Sequence, residues 1–260
     1  MSRVHASSAQ REARIALACL DLTSLNDGDS ETDIELLCER AQGRHGEVAA
    51  VCVWPRFAAF ARARLPESIA VAAVANFPDG GADVQRALRD TGTIVDAGAQ
   101  EVDVVLPYRA LMAGDTASCS TLLDAVRRAC EGLLLKVILE TGVLEDPAAI
   151  RSAARLALAA GADFLKTSTG KTPVSATLPA ASVMLQAIVA DPSAHARVGF
   201  KAAGGVRSVA EAARYIELAA TILGEAALVP ARFRIGASAL LADIEAVLGR
   251  TVPSGPQGSY

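Results

Sequence analysis

Histidine is scarce in this chain, and its cysteines carry no pairing motif. The 260 residues include three histidines and five scattered cysteines with no CxxC pair. The histidines lie in polar segments rather than at the ends of apolar runs, namely His5, His45 and His195. Zinc sites need clustered His or Cys ligands and a serine-hydrolase triad needs a histidine base, so we expect neither a metal site nor a serine hydrolase. An odd number of cysteines without a pairing motif indicates reduced, mostly buried thiols in a cytoplasmic protein.

Basic clusters and long apolar runs are also absent. The formal net charge is −4, and no basic run resembles a nucleic-acid footprint, so nucleic acid is not an expected partner. The N-terminal residues lack an apolar signal core, and no uncharged apolar stretch approaches the ~18 residues of a membrane span. We therefore expect neither export nor contact with a membrane. With 52% hydrophobic residues but only 4% aromatics, the composition predicts tightly packed, alanine-rich helices and strands.

Eight apolar, strand-like runs recur along the chain. They begin at Ile15, Val48, Ile69, Glu101, Leu133, Phe164, Val198 and Phe233. Segments with helical periodicity lie between them, for example residues 33–41, 82–97, 110–130, 147–160, 178–190, 209–219 and 238–248. A spacing of about 30 residues is typical of a (β/α)8 barrel. A doubly wound sheet is the rival, but it usually has fewer strands and a GxGxxG turn, which is absent here.

The sequence therefore predicts a single (β/α)8 TIM barrel over residues 1–250. Residues 1–14 are polar and are expected to form an N-terminal arm or short helix. Residues 251–260 are rich in Pro, Gly and Ser, which predicts a flexible C-terminal tail. Its terminal aromatic, Tyr260, either plays no part or folds over a site.

Two lysines lie at the polar ends of neighbouring predicted strands. Lys166 and Lys201 are one repeat apart, so both should project into the same barrel mouth, where the carboxyl ends of the strands form the working face. Two ammonium groups within a few ångströms repel each other, which favours a neutral, nucleophilic amine on one of them. Each lysine alone is explained by a strand-end side chain that extends to water. Their register on adjacent strands favours the reactive interpretation.

Carboxylates and a thiol supply further candidates. Asp103 interrupts an apolar strand, where it could pass protons to a lysine or form a structural salt bridge; both interpretations stay open. Glu101 either points with Asp103 or fixes the barrel rim. Three secondary candidates lie on other predicted strands, and they are Asp21, Cys52 and Lys136. A small core residue is the simpler interpretation of Cys52.

Three polar loops are expected to form an anion site. They contain Thr169, Gly170 and Lys171, then Gly204 and Gly205, and finally Gly236 and Ser238. Loops after strands seven and eight of such barrels often hold phosphate on backbone N–H groups and a helix N-terminus. Ser238 would be the N-cap of the last helix, although capping alone explains a serine there.

Several of these motifs resemble the deoxyribose-phosphate aldolase family. They are Glu101–Met112, Leu134–Gly142, Gly161–Lys171 and Gly199–Arg207, with Leu20–Asn26, the Asn76-Phe-Pro turn and Phe233–Ser238 similar as well. The resemblance covers nearly the whole chain, in family order. It implies a class I aldolase on a barrel, which reversibly cleaves 2-deoxy-D-ribose 5-phosphate into D-glyceraldehyde 3-phosphate and acetaldehyde without a metal or other cofactor.

The resemblance also implies roles for individual residues. Lys166 would be the Schiff-base lysine, Lys201 the neighbour that favours its neutral form, and Asp103 the proton donor and acceptor. The glycine-rich turns and Ser238 fall where the family holds the phosphate. Tyr260 matches a C-terminal tyrosine that assists proton transfer in some members. The expected partners are a phosphorylated sugar and aldehydes, and a homodimer is a possible assembly.

One departure and two alternatives remain. The family commonly has proline after the strand-seven lysine, and Ala202 here predicts a slightly looser turn with the chemistry retained. The alternatives are a Schiff-base aldolase for another phosphorylated sugar and a non-catalytic barrel that binds a phosphorylated metabolite.

Overall fold

Eight parallel strands close into one barrel in this computed structural model, which describes residues 2–249 and, in residues 2–7, the backbone alone. The strands are β1 (Leu20–Thr23), β2 (Ala50–Val53), β3 (Ala70–Ala75), β4 (Glu101–Val105), β5 (Leu134–Ile138), β6 (Phe164–Lys166), β7 (Gly199–Ala203) and β8 (Phe233–Ala237). Each pairs with the next, and β8 pairs in parallel with β1. The predicted (β/α)8 TIM barrel is confirmed, and the doubly wound sheet is excluded.

Helices connect the strands and pack on the outside of the barrel. Within residues 2–249 they are α1 (Ser2–Ala18), α2 (Glu31–Ala41), α3 (Pro55–Arg62), α4 (Val84–Asp96), α5 (Tyr108–Met112), α6 (Thr116–Ala129), α7 (Thr141–Leu144), α8 (Pro147–Ala159), α9 (Leu178–Ala190), α10 (Val209–Leu223) and α11 (Leu240–Leu248). None of the helices in this range is long and apolar enough to cross a membrane.

Side chains at the helix starts fix where several helices begin. Ser30 accepts a hydrogen bond from the Asp33 N–H at the start of α2, and the Asp33 carboxylate accepts one from the Ser30 N–H in return. Ser208 and Glu211 form the same reciprocal pair at the start of α10. Such pairs satisfy first-turn N–H groups that have no partner inside the helix. Both helices therefore begin at defined residues after their strands.

The first strand begins later than predicted. The sequence predicts a strand over Ile15–Asp21, but α1 extends into this run and β1 begins at Leu20. Ala13, Ala16 and Leu17 are buried at helical spacing, because α1 packs against α10 and α11. Alanine has a high helix propensity, and burial of one helical face adds to it. The N-terminal helix is therefore longer than expected, and the strand is shorter.

The helix predicted over residues 110–130 is divided into α5 and α6. Gly114 lies between them with φ 84°, in the left-handed region that favours glycine. Asp115 then caps α6 by accepting a hydrogen bond from the Ser118 N–H. The short helices α3 and α7 were not predicted.

The predicted boundary at residue 250 and the tail over residues 251–260 lie outside the described residues, and so does Tyr260. These three stay predictions.

The barrel floor depends on a close contact between β6 and β7. Phe164 and Gly199 are paired in register, and a Cβ built at Gly199 would lie 2.3 Å from a carbon of the Phe164 ring. The guanidinium of Arg234 lies 5.7 Å from the centroid of the same ring. Glycine is therefore required at residue 199 for the ring to lie under the charged interior of the barrel.

Gly199→Ala is expected to lower the free energy of unfolding by about 1–3 kcal/mol, because the added methyl overpacks a buried strand contact. Chemical denaturation would measure the change. Gly92→Ala is the matched control: it lies in α4 with no atom within 4 Å of a built Cβ, and helix propensity should raise stability by about 0.5–1 kcal/mol. Equal stabilities of Gly199→Ala and the wild type would contradict the packing argument.

Candidate active site

Seven charged residues meet inside the barrel, and none is more than 4% exposed. We call this group the ion cluster. Its members are Asp21 on β1, Glu101 and Asp103 on β4, Lys136 on β5, Lys166 on β6, Lys201 on β7 and Arg234 on β8. Buried charges are costly unless they are paired and hydrogen-bonded, so the arrangement of the pairs decides which ones are stable.

Asp103 lies at the centre of the ion cluster. Its Oδ2 accepts hydrogen bonds from both Lys166 Nζ and Lys201 Nζ, each at 2.8 Å, and its Oδ1 accepts one from Lys136 Nζ at 2.8 Å. Lys166 and Lys201 are Cα partners on adjacent strands, as the repeat spacing predicts. The structure thus brings together the three residues that the sequence singled out for chemistry.

The other two carboxylates hold the far side of the ion cluster. Asp21 Oδ2 accepts from Lys201 Nζ at 2.5 Å, and Asp21 Oδ1 accepts from Arg234 at 2.5 Å. Glu101 accepts from Lys136 and, at 2.7 Å, from Arg234. Glu101 therefore points into the barrel with Asp103 and does not fix the rim. Two secondary candidates, Asp21 and Lys136, belong to the cluster.

Arg234 is a member that the sequence analysis missed. It is flanked by Phe233 and Ile235 on a buried strand, the same pattern of one charge among apolar residues that marks the lysines. Arg234 and Lys201 are also Cα partners. The signal was therefore present, but arginine cannot act as an amine nucleophile and was passed over.

Charge pairing shifts the pKa values of Asp103, Asp21 and Lys201 more than burial does. Burial alone would raise the pKa of Asp103, but the ammonium groups of Lys136, Lys166 and Lys201 lower it well below its usual value. Burial would also raise the pKa of Asp21, and Lys201 and Arg234 lower it instead. Burial would lower the pKa of Lys201, yet Asp103 and Asp21 raise it. These two carboxylates and Lys201 are therefore ionised at neutral pH.

Cys52 lies beside the ion cluster as a neutral thiol. Its Sγ is 3.9 Å from Asp103 Oδ2, and the residue is fully buried. Burial raises the pKa of Cys52, so the thiolate is disfavoured. This environment agrees with a small core residue better than with a reactive thiol.

A cavity of about 290 Å³ opens above the ion cluster at the carboxyl ends of the strands. Of the three lysines in the ion cluster, only Lys166 lines it. All seven predicted anion-site residues line it too, namely Thr169, Gly170, Lys171, Gly204, Gly205, Gly236 and Ser238. Arg207 also borders the cavity and was not among the predicted site residues. We call this space the mouth cavity.

Four of the residues that line the mouth cavity have backbone N–H groups without a protein partner in the described part of the chain. Within residues 2–249, the N–H groups of Gly170, Gly204, Gly205 and Ser238 donate to no protein acceptor. The nearby start of α11 adds the positive end of a helix dipole. Unpaired N–H groups at a helix start and in glycine turns bind anions well.

Ser238 does not cap α11, contrary to prediction. The N-cap is Ala239, with no side-chain hydrogen bond, and α11 begins at Leu240. Because the strand-to-helix turn is one residue longer than expected, Ser238 lies exposed beside the mouth cavity.

Thr169 is hydrogen-bonded to Glu140, a residue that was not predicted to belong to the site. The Thr169 hydroxyl donates to Glu140 Oε2 at 2.5 Å and accepts from the Lys171 N–H at 3.1 Å. Glu140 is buried with φ 57°, an uncommon backbone conformation for a glutamate. The hydroxyl proton of Thr169 is thus already used. This loop has the Gly170 N–H and the Lys171 ammonium left for an anion.

Two loops approach each other closely at the cavity wall. Gly204 has φ 86°, and a Cβ built there would lie 2.6 Å from Ser175 Cβ and 3.2 Å from Gly170 Cα. Only glycine fits at residue 204. Ala202 lies two residues earlier inside β7, buried and paired with Ile235. The prediction of a looser turn at Ala202 therefore does not apply, because Ala202 belongs to β7 and not to a turn.

Lysine is restricted to this region of the protein. The whole chain contains four lysines, and they are Lys136, Lys166, Lys171 and Lys201. Three belong to the ion cluster, and Lys171 lines the mouth cavity. Within residues 2–249, no group of three or more His, Cys, Asp and Glu side chains is arranged to hold a metal ion.

The fold and site together define a barrel enzyme with a buried, hydrogen-bonded amine at the base of a cavity lined by glycine-rich loops. More specifically, the chain belongs to the DeoC/LacD aldolase family, whose model matches residues 15–246. A deoxyribose-phosphate aldolase from Agrobacterium fabrum is 46% identical over 251 residues, which cover 95% of this chain and 96% of that protein.

Solved structures agree with this family and fold. A candidate deoxyribose-phosphate aldolase from Toxoplasma gondii ME49, in its apo form, superposes with a TM-score of 0.86 at 25% identity. The match covers 95% of this chain and all of that one, 100%. A deoxyribose phosphate aldolase from Aeropyrum pernix shares the fold with a TM-score of 0.73 at 21% identity, over 96% and 99% of the two chains.

The ion cluster should make the free energy of unfolding depend on pH in the acidic range. Since the pKa values of Asp21 and Asp103 are lowered in the folded state, their contribution is present above about pH 4 and is lost as the pH falls below it. The free energy of unfolding, measured by urea denaturation, should therefore decrease from about pH 5 to pH 3. Asp103→Asn should reduce this slope, whereas Asp124→Asn on the exposed face of α6 should leave it unchanged. Equal slopes in both variants would refute the assignment.

Proposed function

We propose that this aldolase cleaves 2-deoxy-D-ribose 5-phosphate reversibly into D-glyceraldehyde 3-phosphate and acetaldehyde, through an imine on Lys166. One observation carries the proposal: Lys166 reaches the mouth cavity while its amine is hydrogen-bonded to Asp103. The named relative from Agrobacterium fabrum supports the choice of substrate.

Access distinguishes Lys166 from the other amines of the ion cluster. Lys136 and Lys201 are fully buried, and each binds two carboxylates at hydrogen-bond distance. Among the residues that the structure describes, Lys166 binds only Asp103, and it is slightly exposed to the cavity. A nucleophile must meet its substrate and lose a proton, and Lys166 satisfies both requirements better than its neighbours.

The reaction begins with the neutral amine of Lys166. It attacks the C1 aldehyde of the open-chain sugar, and loss of water gives an iminium cation. This cation draws electrons, so the C2–C3 bond can break: the C3 hydroxyl gives up its proton, and C3 becomes the aldehyde of glyceraldehyde 3-phosphate. The bonding pair remains on the Lys166 adduct as an enamine.

Asp103 and Lys201 move the protons. The carboxylate of Asp103 contacts both ammonium groups through one oxygen, so a proton from either can be relayed. Through water, this pair takes the proton of the C3 hydroxyl and later returns one to C2 of the enamine. Addition of water to the imine then releases acetaldehyde and restores the amine.

The phosphate would bind in the outer part of the mouth cavity. The unpaired N–H groups of Gly204, Gly205 and Ser238, together with the Lys171 ammonium, match the donors from which a phosphate accepts hydrogen bonds.

We assign Tyr260 no contact, and its role in proton transfer stays a prediction. A cytoplasmic location and a homodimer also stay predictions, the first supported by five buried free thiols.

Borohydride reduction in the presence of acetaldehyde should fix a mass adduct on Lys166. Peptide mapping is simple because the chain has four lysines. Lys166→Ala should abolish the adduct and reduce turnover by about 10⁴-fold or more, since the nucleophile is lost. An adduct on Lys201 would overturn the assignment. Phosphosugar binding without any adduct would indicate a non-catalytic barrel, and faster cleavage of another sugar phosphate would change the substrate.

Lys171→Met should raise KM for 2-deoxy-D-ribose 5-phosphate by about 10-fold or more, since a charge-assisted contact to phosphate is lost. Cleavage of unphosphorylated 2-deoxyribose should be unaffected, because that substrate has no such contact. Arg155→Met removes a similar charge from the exposed face of α8 and serves as the control. Steady-state kinetics on both sugars would test this, and equal losses on both would exclude a phosphate role.

A further inference from the structure

The ion cluster contains more cations than anions. Three lysines and one arginine face three carboxylates, so the fully ionised cluster carries a net charge of +1. An uncompensated charge in a buried site is unfavourable. Loss of one proton from one lysine would neutralise the cluster. The hydrogen bonds that each lysine makes decide which of them releases that proton.

Charged and titratable side chains from the surrounding strands border the ion cluster or the mouth cavity. Those inside the barrel are Cys19 and Asp21 from β1 and its approach, Cys52 from β2, Glu101 and Asp103 from β4, Lys136 and Glu140 from β5 and its end, Lys201 from β7 and Arg234 from β8. Lys171 and Arg207 lie at the mouth cavity. Strand β3, with the sequence AVAAVA, contributes none. Burial raises the pKa of both Cys19 and Cys52, so these thiols add no charge.

Arg234 donates hydrogen bonds to two carboxylates, Asp21 and Glu101. It donates to Asp21 Oδ1 at 2.5 Å, to Glu101 Oε1 at 2.7 Å and, more weakly, to Glu101 Oε2 at 3.4 Å. Its Nε donates to the Pro230 carbonyl at 2.5 Å. Its guanidinium also lies beside the Phe164 ring. A guanidinium does not lose its proton in proteins, so this positive charge is permanent.

The lysines bind the same two carboxylates and Asp103, but unequally. Lys136 and Lys201 each bridge two carboxylates, one of them Asp103. Within residues 2–249, Lys166 has only Asp103 Oδ2, an oxygen that already accepts a hydrogen bond from Lys201. Lys166 is therefore the least compensated cation of the cluster.

We infer that Arg234 is a positioning residue that acts through Lys166: its permanent charge leaves the cluster one cation in excess, and Lys166 releases the proton. The inference rests on the proposed function, because it takes Lys166 as the imine-forming amine. It adds a residue at the far side of the barrel to the groups that control the nucleophile. Lys201 alone does not create the excess, since the three carboxylates could balance three lysines.

Charge-changing variants give opposite expectations for Lys166. In Arg234→Met the cluster has three cations and three anions, so Lys166 should keep its proton to a pH about one unit or more higher. In Glu101→Gln the excess grows to two positive charges, so Lys166 should lose its proton at lower pH than in the wild type. The double variant restores an excess of one and should return the titration toward that of the wild type. Arg234→Lys keeps the charge and should also stay near it.

Two readouts follow this titration. Competitive acetylation of Lys166 across a pH series, read by peptide mass spectrometry, reports the free amine without turnover. The acid limb of kcat/KM for cleavage reports the same ionisation in the free enzyme. A purely structural role for Arg234 would reduce stability without moving these profiles in opposite directions in the two single variants.

Borohydride trapping on the wild-type protein separates the proposed function from the inference about Arg234. If borohydride with acetaldehyde gives no adduct on wild-type Lys166, the proposed function fails and the inference with it. If the adduct forms but Arg234→Met titrates as the wild type does or at lower pH, only the inference is overturned. Circular dichroism checks folding; should Arg234→Met not fold, Glu101→Gln decides, because an unchanged or upward shift there also overturns it.

Discussion

Asp103 Oδ2 accepts hydrogen bonds from two ammonium groups, and this shared oxygen is the constraint on which the site depends. Neither Lys166 nor Lys201 could lie so deep in the barrel without it, since an unpaired buried amine would be neutral or destabilising. Sharing also means that neither lysine is fully compensated by Asp103 alone. In the part of the chain that the structure describes, Lys201 has Asp21 as a second partner and Lys166 has none, so the asymmetry between the two amines arises from barrel closure between β8 and β1.

Much of this arrangement follows from the repeat in the sequence. Strands at a regular spacing predict a barrel, and equal offsets within two repeats place Lys166 and Lys201 side by side. Asp103 could be selected because a carboxylate within an apolar strand needs a partner. The glycine-rich loops could be grouped because the carboxyl ends of the strands in such a barrel meet at one mouth. Periodicity therefore predicts which residues meet, even when they are far apart in the chain.

Periodicity does not predict how hydrogen bonds and charges are distributed among those residues. The Thr169 hydroxyl donates its proton to the carboxylate of Glu140, a residue with a left-handed backbone conformation. The spacing of residues in the sequence does not predict that conformation. Arg234 could be placed on its strand but not assigned a role, because its importance lies in a count of charges over six strands. The late start of β1 was missed for another reason: packing of α1 on α10 and α11 decides the conformation of an alanine-rich run.

The restriction of lysine to the site has a consequence for the chemical durability of the protein. Aldehydes condense with primary amines, and the proposed reaction produces and consumes aldehydes. The chain offers four lysine amines, of which three are buried in the ion cluster, so Lys171 is the one exposed lysine side chain. The rest of its basic surface is arginine, which forms no such imines at neutral pH. Unwanted modification by aldehyde is thereby concentrated at the rim of the mouth cavity, where a bound phosphate would shield the amine.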